Sequence, residues 1–259
     1  MAQQRAASAS RSPQSPQSAP PGGSEHPLLL GQMPKPATSV VCPPGLEYLT
    51  VLDQIIIDQQ GKLVEAIGIE IANSYVVRNS AGQLIYCLKE DSTCCTRNSC
   101  GPFRCFVMNV MDQKNDVVMR FVRYLRLPCS YICCCRQVMQ VQAPPGNVIG
   151  DVRQRWSIWY PTFAVYDPDG TKQLEVVGGL CTSSLPCKCD VDFEVRSTNG
   201  AVVGKVTRKW GGLFSFTDAD TFGVKFPMDL DVRTKGALMA VTLLIDYMYY
   251  EDCKPACCC

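Results

Sequence analysis

One short pattern recurs along the chain and limits what it can fold into. An aromatic residue is followed by Val two positions later and by Gly seven positions later. It occurs at Tyr75-Val77-Gly82, Phe163-Val165-Gly170 and Phe193-Val195-Gly200, with a degenerate copy starting at Phe106. Side chains alternate along a strand, so the aromatic and the Val share one face. The stretches Asn79-Ser80-Ala81-Gly82, Pro168-Asp169-Gly170 and Thr198-Asn199-Gly200 then set Gly where a turn needs positive φ. Apolar residues resume at Leu84-Ile85-Tyr86, Leu174-Glu175-Val176-Val177 and Val202-Val203. Each copy therefore predicts strand, turn, strand. Repeated hairpins at this density predict a mainly β domain. A meander of about ten to twelve strands either closes into a barrel or splits into a sandwich.

The strongly helical stretch comes last. Residues 236–250 are apolar on all sides except at Thr242 and Asp246. A helix of that kind has to be buried. A lipid bilayer and the lumen of the chain's own barrel are both available. A spanning helix needs about 20 residues, so the length favours the lumen. Asp246 would cost about 2.5–3.5 kcal/mol at the centre of a spanning helix, whereas inside a barrel it can pair. Asp246 is therefore expected to be buried and hydrogen-bonded. Gly236, Ala237 and Ala240 would let strands approach such a helix closely.

The rest of the chain divides by texture. Residues 1–42 are rich in Pro, Ser and Gln and predict a disordered tail. Pro13-Gln14-Ser15-Pro16 fits PxxP, a pattern common in such tails, and offers an SH3-type partner. Residues 43–252 form the expected domain, and 253–259 a Cys-rich tail. With 259 residues the chain suits one domain plus a tail. A net charge of +1 argues against a nucleic-acid partner. The single His, His26, lies in the tail. That removes a Ser-His-Asp triad, a Cys-His dyad and a His-based zinc site, so bond-making catalysis is not expected.

The 17 cysteines are partly clustered, as at Cys94-Cys95, Cys133-Cys134-Cys135 and Cys257-Cys258-Cys259. The N-terminus has no apolar signal region, which predicts a reducing compartment and free thiols. Adjacent cysteines bridge each other poorly. The run Cys133-Cys134-Cys135, with Cys129 upstream, admits metal binding, buried core thiols, or S-acylation. Two or more acyl chains give stable anchoring where one does not.

Two further segments are candidates. In 218–229, a twelve-residue calcium loop would set Asp218, Asp220 and Asp229 at positions 1, 3 and 12, with Gly223 at the turn. Phe222, Val224 and Phe226 offer only backbone oxygen there, and Lys225 repels a cation, so any site would be weak, with Kd on the order of 10⁻⁴–10⁻³ M. The alternative is an Asp-rich turn leading into a strand over 222–226. Lys205, Arg208 and Lys209 form a small basic cluster. It suits an import receptor or lipid headgroups, or is a solvated strand face.

The stretches Pro43–Leu49, Gln142–Gly146, Asp190–Val195 and Asp218–Asp231 occur in one order. In these stretches the chain resembles the phospholipid scramblases, from about residue 43 to Glu251. The resemblance implies a tubby-like fold, a closed β-barrel of about twelve strands around a central C-terminal hydrophobic helix. It implies calcium-stimulated, ATP-independent, bidirectional movement of phospholipids between leaflets. The alternative is an acyl-anchored lipid- or protein-binding and signalling module that shuttles to the nucleus and does not itself scramble. The implied calcium segment is Asp218, Asp220, Phe222, Val224, Phe226 and Asp229. The implied palmitate sites are Cys129, Cys133, Cys134 and Cys135. The implied nuclear-import segment runs from Gly204 to Leu213 and holds Lys205, Arg208 and Lys209. The expected location is the cytosolic face of the plasma membrane, with a nuclear pool. The expected partners are a phospholipid membrane and, on calcium binding, a second copy of the chain. The short tail lacks PPxY, and Ser130, Tyr131 and Ile132 interrupt the cysteine cluster.

Overall fold

The computed structural model describes residues 31–37, 42–60, 72–93, 96–97, 100, 103–126, 136–180, 190–209 and 220–251. Twelve antiparallel strands form an up-and-down barrel. They are β1 (Gln54–Gln60), β2 (Ser74–Arg78), β3 (Leu84–Asp91), β4 (Phe106–Met111), β5 (Val117–Arg123) and β6 (Val138–Ala143). These are followed by β7 (Asn147–Arg155), β8 (Thr162–Tyr166), β9 (Lys172–Gly178), β10 (Val191–Ser197), β11 (Val202–Lys209) and β12 (Thr221–Lys225). Each strand pairs with its sequence neighbours. The ring closes where Ile55 of β1 faces Val224 and Ile57 faces Phe222 of β12. Closure leaves no strand edge open.

The sequence repeat is the inward face of the even-numbered strands. Tyr75 and Val77, Phe163 and Val165, and Phe193 and Val195 are all buried in the lumen. The degenerate copy supplies Phe106 and Met108, and β6 supplies Met139 and Val141. The turns follow the same logic. Gly82, Gly170 and Gly200 adopt positive φ between their strands, and Asn115 does so in the turn after β4.

The lumen is filled by helix α1 (Val232–Tyr249), which starts four residues before the expected Gly236. Its contacts reach around the ring. Tyr247 stacks on Phe106 of β4, Tyr249 meets Phe163 of β8 edge-on, and Tyr250 just past the helix meets Phe222 of β12. A Cβ on Gly236 would come within 2.8 Å of the Met119 sulfur, so glycine permits the close approach to β5. Among the described residues no helix is long and apolar enough to cross a membrane.

The two barrel ends differ. At one end, which we term the turn rim, β2–β3, β4–β5, β6–β7, β8–β9 and β10–β11 join through three to five residues. At the other, the connection rim, the links run from six residues (156–161) to fourteen (92–105 and 124–137). Helix α1 enters at the turn rim. Asp231 caps it, its Oδ2 accepting from the Arg233 and Thr234 amides at 3.0 and 3.2 Å. Residues 31–37 also belong to the fold, ahead of the expected boundary at 43. The Met33 amide donates to the Leu84 carbonyl at 3.0 Å, and Gln113 Nε2 donates to the Met33 carbonyl at 2.6 Å.

Candidate functional site

Asp246 lies in the barrel as the sequence suggests. It is buried on α1, and the Tyr75 hydroxyl donates to its Oδ2 at 2.6 Å. Burial, with the Asp246 charge next to it, pushes the Tyr75 phenol well up. The pair ties the helix to β2, and a carboxylate costly in lipid is met inside protein.

The described part of the 218–229 segment, residues 220–229, does not wrap around a point. Asp218 lies outside the described residues. Phe222 and Val224 sit in β12 with their side chains in the lumen, another copy of the inward aromatic–Val pair. Their backbone has ladder partners on both sides, in β1 and β11. Phe226 is buried as well, and its amide donates to the Asp53 carbonyl at 2.9 Å. Asp220 precedes the strand, and Arg208 Nε donates to its Oδ1 at 2.8 Å. Asp229 follows the strand and is exposed at the turn rim. Five extended residues span about 17 Å, so the two carboxylates stand at opposite barrel ends. The described members of the set do not fit one calcium ion. Among the described residues no group of three or more His, Cys, Asp or Glu converges as a metal site would.

The basic cluster is spread over β11. Lys205 pairs with Asp192 at 2.6 Å and Lys209 with Asp190 at 2.9 Å, both across to β10 or its lead-in. Arg208 points inward, toward Asp220 and over the Tyr250 ring at 4.1 Å. Residues 210–213 of the expected import segment lie outside the described residues. So do Cys129, Cys133, Cys134 and Cys135, the tail cysteines and the PxxP segment. The flanks of the Cys129–Cys135 stretch are described: it joins the end of β5 to the start of β6 at the connection rim.

A buried polar plug closes that same rim, and the sequence reading missed it. Glu90 of β3 accepts two hydrogen bonds from Arg104, at 2.6 and 2.9 Å, and one from the Tyr247 hydroxyl at 2.8 Å. The Asn73 amide donates to it at 2.9 Å. Arg104 also reaches Glu251, just past α1, at 2.8 Å. Arg123 of β5 donates to Gln137 and lies over the Phe106 and Tyr247 rings. Arg104 and Arg123 are each 1% exposed. Burial opposes ionisation of Glu90, but the Arg104 hydrogen bonds outweigh it and hold the carboxyl below its usual value. Burial raises Glu251 despite Arg104, and lowers Arg123 to about 10. The cations stand beside the negative end of the α1 dipole. At the other end Lys235, fully buried, donates to the Leu49, Leu52 and Met228 carbonyls at 2.9, 2.8 and 2.6 Å.

One sequence signal could have found the plug. The inward alternation Tyr86, Leu88 continues to Glu90. Likewise Met119, Phe121 continues to Arg123, and Val206 continues to Arg208. A period-two apolar stripe that ends on a charge, with no change of face, marks a buried ionic group.

Comparison with known proteins places this architecture. The Scramblase family model matches residues 33–252, the whole of the barrel and its luminal helix. Phospholipid scramblase 2 of Bos taurus is 43% identical over 229 residues, 87% of this chain and 78% of its own. Phospholipid scramblase 1 of Homo sapiens is 44% identical over 226 residues, 85% of this chain and 70% of its own. Phospholipid scramblase family member 5 of Homo sapiens is 38% identical over 240 residues, 91% of this chain and 88% of its own. With the closed barrel, the luminal helix and a match over most of its length, the chain belongs to the scramblase family.

Proposed function

We propose that the chain moves phospholipids between the leaflets of a membrane, in both directions, with calcium stimulation and without ATP. The observation that carries this reading is the family match over 33–252. The barrel itself is no conduit, because α1 fills its lumen. A headgroup crossing hydrocarbon needs a polar path or a thinned bilayer. On this reading the path therefore runs along the outside of the protein, or between copies assembled on calcium. Palmitate on Cys129, Cys133, Cys134 and Cys135 holds the chain to the cytosolic leaflet of the plasma membrane. Changing Cys129, Cys133–Cys135 and Cys257–Cys259 to Ala together should weaken its hold on the membrane.

Calcium enters this proposal as a stimulus to be measured. Asp220 and Asp229 cannot bind one ion together, so Asp218 is the first residue to test. The experiment is scrambling of fluorescent phospholipid in liposomes holding the purified chain, with calcium raised from zero to millimolar. Calcium-dependent scrambling that weakens in Asp218→Asn supports the proposal. No scrambling by folded, membrane-bound protein overturns it.

The filled lumen favours a second reading, a membrane-tethered lipid- or protein-binding module with a nuclear pool. In that case the liposomes bind the chain and lipid does not move. Import through Lys205, Arg208 and Lys209 would require a receptor to read a strand bonded on both sides, so nuclear entry should survive their replacement by Gln.

A further inference from the structure

The connection rim exposes a built apolar face. Residues 156–160, between β7 and β8, are all solvent-exposed, with Ile158 at 67% and Trp159 at 69%. This is not a loose loop. Ser157 Oγ accepts from the Tyr160 amide at 3.1 Å, and Thr162 Oγ1 donates to the Tyr160 carbonyl at 3.1 Å. The Gly178 amide donates to the Pro161 carbonyl at 2.8 Å. A Cβ on Gly178 would lie 2.5 Å from Pro161, so glycine lets the connection press against β9. The chain's own bonds thus hold Trp156, Ile158 and Trp159 out toward solvent. Tyr124 and Leu125 at the end of β5, and Leu180 after β9, are exposed along the same arc. Four inter-strand steps from β5 to β9 make that arc about 19 Å wide.

Three features indicate what covers it. Trp and Tyr mixed with Ile and Leu is the composition of a membrane–water interface, where amphipathic rings sit at headgroup level. The described residues linking β5 to β6 include Arg126 and Arg136, β7 ends on Arg155, and neither the link from β5 to β6 nor that from β7 to β8 has a described carboxylate, which complements an anionic lipid surface. Fifteen of the 17 cysteines lie in links between strand ends at this rim, or after α1, whose C-terminus is also there. The described flanks of these segments stand at this end of the barrel. The turn rim differs: its exposed large apolar residues, such as Val202 and Met228, are single and scattered.

We propose that residues 156–160, flanked by Tyr124, Leu125 and Leu180, insert into the interfacial layer of an anionic phospholipid bilayer and orient the barrel with its connection rim toward the membrane. This deepens the membrane-acting reading above, yet it requires neither lipid movement nor acylation.

The test uses the full chain produced without acylation and vesicles of phosphatidylcholine and phosphatidylserine. The chain has three Trp, so Trp210→Phe leaves Trp156 and Trp159 as the emitters. Their emission should shift to the blue on vesicle addition and be quenched by lipids brominated along the acyl chain. Flotation with vesicles should weaken about tenfold or more in Ile158→Ser/Trp159→Ser. It should be unchanged in Val202→Ser/Met228→Ser at the opposite rim. Three results would each overturn the proposal: absence of quenching, equal flotation of the two double variants, or shielding of the two Trp by self-association without vesicles. Normal flotation and quenching without lipid movement would leave this face intact and remove the scrambling reading alone.

Discussion

The two ends of the barrel solve one problem differently. Each must close a lumen around one end of α1. The turn rim does so with backbone: short turns with positive-φ residues, the Asp231 cap, and Lys235 held by three carbonyls. The connection rim does so with side chains, through Glu90, Arg104, Arg123, Glu251 and the tyrosines beside them. Backbone closure is local and tolerates substitution. Ionic closure is cooperative, because each buried charge relies on partners from distant strands. The end that carries the long links and the exposed Trp face is thus the end with the cooperative plug.

The largest test of this contrast is Arg104→Met. It strips two carboxylates of their main cation and should cost about 3–5 kcal/mol of unfolding free energy, the scale for a buried charge left unpaired. Urea unfolding measures it. A loss below about 1 kcal/mol would mean that the plug is dispensable.

The pH dependence sharpens the same point. Glu90 titrates below its unfolded value of about 4.3. Its contribution is complete above that value and is lost as pH falls through the depressed folded value. Glu251 is raised, so its contribution runs the other way, and stability declines as pH climbs from about 4.3 through its folded value. Thermal unfolding across acid pH should therefore lose its acid limb in Glu90→Gln and its declining limb in Glu251→Gln. Identical profiles for wild type and both variants would break the assignment.

A smaller effect is expected at the turn rim. Asp231→Ala should cost about 1 kcal/mol by removing the two cap bonds, with no change in the acid profile. The smallest belongs to Lys205→Gln. Its pair with Asp192 is half-exposed, and the melting temperature should hardly move.

The hairpins were legible because their signal is local. The period-two aromatic–Val pair and the glycine turn fall within eight residues. The same locality left 218–229 open to two readings, an ion-binding loop or a turn leading into a strand. Asp218, Asp220, Gly223 and Asp229 have the spacing of an ion-binding loop. However, Phe222 and Val224 are the barrel's inward pair, and that periodicity prevails because burying them in the lumen stabilises the strand. Asp246 was legible because a carboxylate in an apolar helix needs a partner, although nothing in the sequence indicated Tyr75, 171 residues away. The plug was not read because Glu90, Arg104, Arg123 and Glu251 look individually like surface charges.

By itself, then, the sequence determined the strand pattern, the turns, the buried helix and the need to neutralise Asp246. All of these follow from periodicity and from the cost of placing a charge in an apolar setting. Tertiary structure decided where the ring closes, which charges meet at its end, and that the long links gather at one rim beside an outward-held Trp face. Those outcomes depend on barrel closure, which brings together residues that local pattern cannot relate.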